Sequence, residues 1–146
     1  VIWVQIARHF PSEPWYDQRR LLCAIYWIVE QALYESQSAE QQIVLLIDLR
    51  NFGMKNFDKF FIEHAFRHLL TNHPHRMGLC LMLNAPTVFN AAWAIIRTWI
   101  PDGLGSKFKF VNDETLLSYL PRDAANRLEP NAAAAAGLRY RGHRTG

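Results

Sequence analysis

Residues 43–48 read Ile43-Val44-Leu45-Leu46-Ile47-Asp48, a short continuous apolar run that ends in an acid. Such a run is a strand covered on both faces, as in a parallel sheet. Parallel neighbours need a crossover between them, and both flanks offer one. Upstream, from Asp17 to about Tyr34, the residues Leu21, Leu22, Ile25, Tyr26, Ile28, Val29 and Leu33 recur at helical spacing. Before that helix VIWVQIA (1–7) is β-branched and partly alternating, a strand that PSEP (11–14) ends. Downstream, Asn51 and Gly53 make a turn. A helix follows from about Asn56 to Leu70, with Phe57, Phe60, Phe61, Ala65, Phe66, Leu69 and Leu70 on one broad face. HPHRMG (73–78) leads to a second buried strand, LCLMLN (79–84). Pro86 suits a first helical turn, and that helix runs to about Ile100. PDGLG (101–105) turns the chain, and KFKFV (107–111) alternates as a last strand. Asn112 or Asp113 caps a final helix through Tyr119, ended by Pro121. The order β-α-β-α-β-α-β-α predicts an α/β domain with a mostly parallel sheet flanked by helices.

Composition agrees. The chain has 146 residues, 50% apolar and 20% charged, which excludes a disordered or collagen-like chain. Nine Phe, five Trp and five Tyr supply much of a core. The net charge of +3 invites a nucleic-acid reading. However, three of the 16 basic residues, Arg139, Arg141 and Arg144, fall in the last ten positions. That leaves 13 basic against 13 acidic residues in 1–138. No basic stripe crosses the expected fold, so no nucleic-acid partner is expected. The expected lobe is 1–122. From Asp123 to Gly146 apolar periodicity fails, and a disordered or frayed tail is expected. Val1 stands mid-strand by its pattern, which suggests a fragment. No apolar run reaches the roughly 18 residues of a membrane span.

Chemistry-bearing motifs are weak. His64 and His68 lie four apart on a predicted helix, with His73 and His75 following. Paired histidines can hold zinc, but no HExxH glutamate stands between them, and Lys59, Glu63 and Arg67 mark this as a polar surface. No metal is expected. GLGSK (103–107) lacks the spacing of a phosphate loop, and its lysine opens a strand rather than a helix. No serine sits in GxSxG. Cys23 and Cys80 lie inside apolar runs and read as two buried thiols of a reducing compartment. Asp48 ends a strand, where α/β enzymes place chemistry, but a role in the following turn competes. No catalytic residue is expected, and the chain reads as a non-enzyme.

The helix 86–100 is the most informative element. Val88, Phe89, Ala92, Trp93, Ile95, Ile96, Trp99 and Ile100 cover more than one face. One face on a lipid cavity and the other on a partner or membrane would satisfy it, and so would ordinary core packing beside a further domain. Alternation supplies cavity walls from Ile43, Leu45 and Ile47, from Cys80 and Met82, and from Phe108 and Phe110. Phe89, Trp93 and Ile96 face them from the helix.

DLRNFGMKNFDKFFIEH, HPHRMG, LNAPTVFNAAWAIIRTWI, SKFKFV and LLSYLP, in that order, resemble the CRAL-TRIO lipid-binding domain. The resemblance, strongest to fungal phosphatidylinositol/phosphatidylcholine transfer proteins, runs from about Val1 to Pro121. It implies a sheet forming the floor of a hydrophobic pocket, with 86–100 as a gate helix and 101–107 as its hinge. Gly103 and Gly105 would allow the swing. It implies Lys107 and Arg76 at the lipid head group, with His75 where the family has a glutamate and Leu104 where it has a threonine. Ile43 and Leu45 replace the hydroxyls that hold phosphocholine, so phosphatidylcholine is disfavoured. The family's N-terminal helical module is not matched here. The partners so implied are a phosphatidylinositol-like phospholipid or a neutral hydrophobic lipid, and a transient membrane surface. No cofactor beyond that bound lipid is implied. The location implied is the cytoplasm, peripheral to membranes. A lipid-sensing interaction module without transfer is the alternative.

Overall fold

The computed structural model describes residues 1–36, 42–73, 75–120 and 124. The chain divides into two compact units, Val1–Asn112 and Asp113–Gly146. The first unit carries β1 (Ile2–Gln5), α1 (Gln18–Tyr34), β2 (Ile43–Asp48), α2 (Lys59–Asn72), β3 (Met77–Leu83), α3 (Phe89–Ile96) and β4 (Phe108–Val111). Its sheet is parallel throughout, in the order β1-β2-β3-β4. Both faces of β2 are buried: Ile43 and Leu46, which point opposite ways, are 3% and 1% exposed. That is why the run carries no polar alternation.

Strand order decides where the helices go. Right-handed crossovers that always step to the next strand put every connecting helix on one face. Register identifies that face. Ile2 pairs with Leu45, Leu45 with Cys80 and Cys80 with Phe108, while Val4, Ile47, Met82 and Phe110 form the next row. Residues from α1, α2 and α3 all meet this face.

Local signals explain the element ends. Asp17 caps α1 by accepting from the Arg20 amide at 3.1 Å, and Asp58 caps α2 by accepting from Phe61 at 2.9 Å. The cap moves the start of α2 to Lys59, later than the periodicity predicts, with one 3₁₀ turn over Met54–Asn56 before it. The helix expected over 86–100 is shorter. Residues 86–88 form a turn, α3 proper ends at Ile96, and Arg97–Trp99 is 3₁₀. β3 starts two residues earlier than expected, at Met77. Cys23 is a correction. It is exposed, because Leu22 and Val29 define the buried stripe of α1 and position 23 rotates off it.

The second unit contains the short helix α4 (Asp113–Leu116). The expected helix through Tyr119 stops there, where Ser118 and Tyr119 donate back to Thr115 and Leu116 in tight turns. The expected tail 123–146 lies outside the described residues except for Ala124. Among the described residues no helix is long and apolar enough to cross a membrane.

Candidate functional site: an apolar cavity under three helices

A cavity of about 110 Å³ lies between the sheet and the three helices. Ile2 and Val4 of β1, Ile43, Leu45 and Ile47 of β2, and Met82 of β3 form its floor. Ile25, Ile28 and Val29 of α1 and Ile62, Phe66 and Leu69 of α2 cover it. Phe89, Trp93 and Ile96 of α3 close one side. All twenty lining residues are aliphatic, thioether or aromatic. A charged or hydrogen-bonding head group has no partner inside it, and burying one there costs several kcal/mol. Pockets for drug-sized ligands run to roughly 300–1,000 Å³, so this cavity is too small for a whole lipid as it stands.

Seven of the ten expected wall residues line it: Ile43, Leu45, Ile47, Met82, Phe89, Trp93 and Ile96. Cys80, Phe108 and Phe110 do not. They share the right sheet face, but α3 fills the space above them. The Trp93 ring stands 5.8 Å from Phe108 and edge-on to Phe110 at 5.3 Å. Cys80 is fully buried in the packed core with Ala92 and Phe108. Its thiol is pushed up to about 12 by burial, so it is no nucleophile at neutral pH. Phe110 is half exposed at the edge strand.

The helix α3 has two apolar faces. Phe89, Ala92 and Ile96 are buried, while Val88 and Ile95 on the outside are 43% and 38% exposed. Left-handed backbone brackets the helix, at Asn84 (φ 51°) before it and Gly103 (φ 87°) after it. A Cβ on Gly103 or Gly105 would meet nothing within 4 Å, so this segment is not packed in place.

The expected head-group residues are not among those lining the cavity. Lys107 Nζ donates to the Met77 carbonyl at 2.6 Å. Arg76 directly precedes Met77, and its carbonyl accepts from the Ile43 amide at 2.7 Å. Ile43 pairs with Met77 and lines the cavity. Lys107 and the backbone of Arg76 therefore lie at the same end of the sheet, where β3 begins. His75 stands beside them, exposed, in left-handed backbone (φ 67°), and its carbonyl accepts from Gln42 at 3.2 Å.

Asp48 and Asp58 both prove structural. The Asp48 carboxylate takes the Arg50 guanidinium in a two-pronged pair and also accepts from the Arg50 amide. This closes the turn after β2. A second polar cluster, unmarked in the sequence reading, surrounds Asp58. Its carboxylate accepts from Tyr16 at 2.7 Å and from Gln18 at 3.2 Å, and His9 Nε2 lies 3.6 Å away. Burial alone would raise the Asp58 pKa, but these donors together with the Phe61 amide hold it below the usual carboxylate value. Burial outweighs Asp58 at His9 and lowers that pKa. An Asp just before an apolar helical run is a cap signal, and it could have been read from Asp58.

A family model described as the CRAL/TRIO domain matches residues 1–127. A CRAL-TRIO domain-containing protein of Schizosaccharomyces pombe is 26% identical over 98 residues, 66% of this chain and 22% of that protein. The protein called real-time of Anopheles gambiae is 35% identical over 69 residues, 45% of this chain and 10% of its own. The same protein of Drosophila melanogaster is 35% identical over 69 residues, with the same coverage. The chain thus spans only about a fifth or a tenth of the length of these relatives.

Proposed function

The chain belongs to the CRAL/TRIO domain family, and from that premise we propose that it holds the hydrocarbon part of a lipid in the cavity under α1, α2 and α3 and exchanges it at membrane surfaces. The observation that carries this reading is the wholly apolar lining of the cavity, closed on one side by a helix that is apolar inside and out. The mechanism follows from magnitudes. Lifting α3 exposes Phe89 and Ile96, at about 1.5–3 kcal/mol each. A lipid chain returns about 0.8 kcal/mol per buried CH₂. Burial of roughly four to eight methylenes therefore offsets the opening. Val88 and Ile95 would meet the bilayer while the gate is out, and in this reading that surface faces the cytoplasm.

In this reading an anionic head group of phosphatidylinositol type sits at the sheet edge, held by Lys107 and Arg76 with His75 alongside. Lys107 would turn from the Met77 carbonyl to a phosphate, where a charge-assisted bond is the stronger one. Phosphatidylcholine is disfavoured, because Ile43 and Leu45 offer its head no hydrogen bond. The chain works by binding and not by turnover. Transfer of labelled lipids between vesicles tests the reading, with Lys107→Met keeping the side-chain stem. Phosphatidylinositol transfer should fall about tenfold in the variant, which is about 1.4 kcal/mol, and transfer of a neutral sterol should not change. Equal transfer of phosphatidylinositol by both proteins would remove Lys107 from the head-group site. If neither lipid moves while a protein co-purifies with the chain, the interaction-module reading replaces this one.

A further inference from the structure

Away from the cavity floor, Glu30 of α1, His68 of α2 and His73 at the end of α2 bring one ligand atom each to within 4.8 Å of one another. We propose that these three residues form a binding site for a divalent transition metal of the zinc class. The site does not depend on the lipid reading.

The ligand set is imidazole, imidazole and carboxylate, which suits zinc and its neighbours and not magnesium or calcium. Three protein ligands leave a coordination position for water. A tetrahedral ion with bonds of about 2.0–2.1 Å needs ligand atoms roughly 3.4 Å apart. His73 Nε2 already lies 3.0 Å from Glu30 Oε1. Glu30 is the exposed member, with its side chain 57% accessible, so it has room to adjust.

The histidines are held as ligands are held. The His68 ring stacks on Tyr26 at 3.8 Å between centroids and meets the His73 ring edge-on at 5.3 Å. The far nitrogen of His68, Nδ1, lies 2.7 Å from the Asn72 amide. The amide nitrogen is the atom placed there; exchanging the Asn72 amide nitrogen and oxygen by a flip would let the oxygen accept from Nδ1–H and leave a lone pair on Nε2, the usual outer-shell arrangement around metal-bound imidazole. Nε2 of His68 is buried and has no hydrogen-bond partner among the described residues. Nε2 of His73 is buried too, and its approach to Glu30 is close without being an aligned hydrogen bond. Two buried imidazole nitrogens turned toward one carboxylate are costly unless something binds them.

Position gives the site a consequence. Glu30 follows Val29, and His68 precedes Leu69, and both of those side chains line the cavity. A bound ion would pin α1 to the end of α2 and stiffen the cavity roof.

The test is titration of the metal-free full chain with Zn²⁺ by calorimetry, and with Co²⁺ by its visible absorption. Mg²⁺ serves as the control. One Zn²⁺ per chain, a tetrahedral-type Co²⁺ spectrum and no response to Mg²⁺ are expected. His68→Ala and Glu30→Gln should each weaken binding more than about tenfold, and Asn72→Ala about 10- to 100-fold. His64→Ala should leave it unchanged. Glu30→Gln alters an exposed side chain, so the test survives if a histidine variant fails to fold. Absence of stoichiometric Zn²⁺ binding overturns the proposal. So does binding that Glu30→Gln and His68→Ala leave intact, since the ion would then sit on other histidines.

Discussion

Two aspartates show how side chains of one type part by their surroundings. Asp48 belongs to the turn through Arg50, and Asp58 joins a helix cap to Tyr16, Gln18 and His9. Asp58→Ala strips a cap and leaves buried donors unpaired. It should cost about 2–3 kcal/mol in urea unfolding. The pH dependence follows from the two pKa shifts. The Asp58 pKa is lower in the fold than in the unfolded chain. Its contribution is therefore present above about pH 4 and lost as pH falls below it. The His9 pKa is also lowered by folding. The unfolded chain takes up that proton first, so stability is full above about pH 6.5 and declines as pH drops through and below that value. His68 shifts the same way. Thermal midpoints should thus be level above pH 7 and fall between pH 6.5 and 5, and His9→Gln should flatten part of that fall. A midpoint that rises on acidification would contradict the sign. Beyond the cap signal at Asp58, the cluster was not legible from the sequence, because Tyr16 and Asp58 are 42 positions apart.

At the scale of elements, periodicity carried most of the information. The continuous runs at 43–48 and 79–84 appear as central parallel strands, and the stripe on 17–34 appears as α1. Ends were legible only where a capping side chain marked them. The apolar excess of 86–100 also had a physical meaning, since α3 buries Phe89 and Ile96 while leaving Val88 and Ile95 outside. Which wall residues the cavity keeps was not legible. Alternation places Phe108 on the correct face, but it cannot show that Trp93 covers it. If α3 swings on Gly103, then Gly103→Val, forced into left-handed backbone at about 1–2 kcal/mol, should slow lipid exchange several-fold. Equilibrium lipid occupancy should change less. Unchanged exchange kinetics in a folded variant would locate the hinge elsewhere. Phe89→Ala should loosen the closed state, costing about 3–5 kcal/mol of stability if the gap does not collapse. That is measurable by denaturant unfolding, and a loss under 1 kcal/mol would mean α3 is not held by this ring.

For the molecule as a whole, strand order is what makes a binding domain from short elements. Stepwise crossovers put α1, α2 and α3 on one face, and the space beneath them is lined by apolar side chains. The arrangement was legible as a class of fold from the order of elements. The volume was not, because it depends on how closely the helices settle. At about 110 Å³ the cavity takes a fragment of a lipid, not a whole one, so binding requires expansion. The most direct measurement is extraction of lipid from the purified full chain, with mass spectrometry of extract and intact protein, before and after incubation with mixed-lipid vesicles. One lipid per chain, with Trp93→Ala altering which lipid is held, is the predicted result. A folded monomer that carries no lipid and takes none up from vesicles would contradict the central claim.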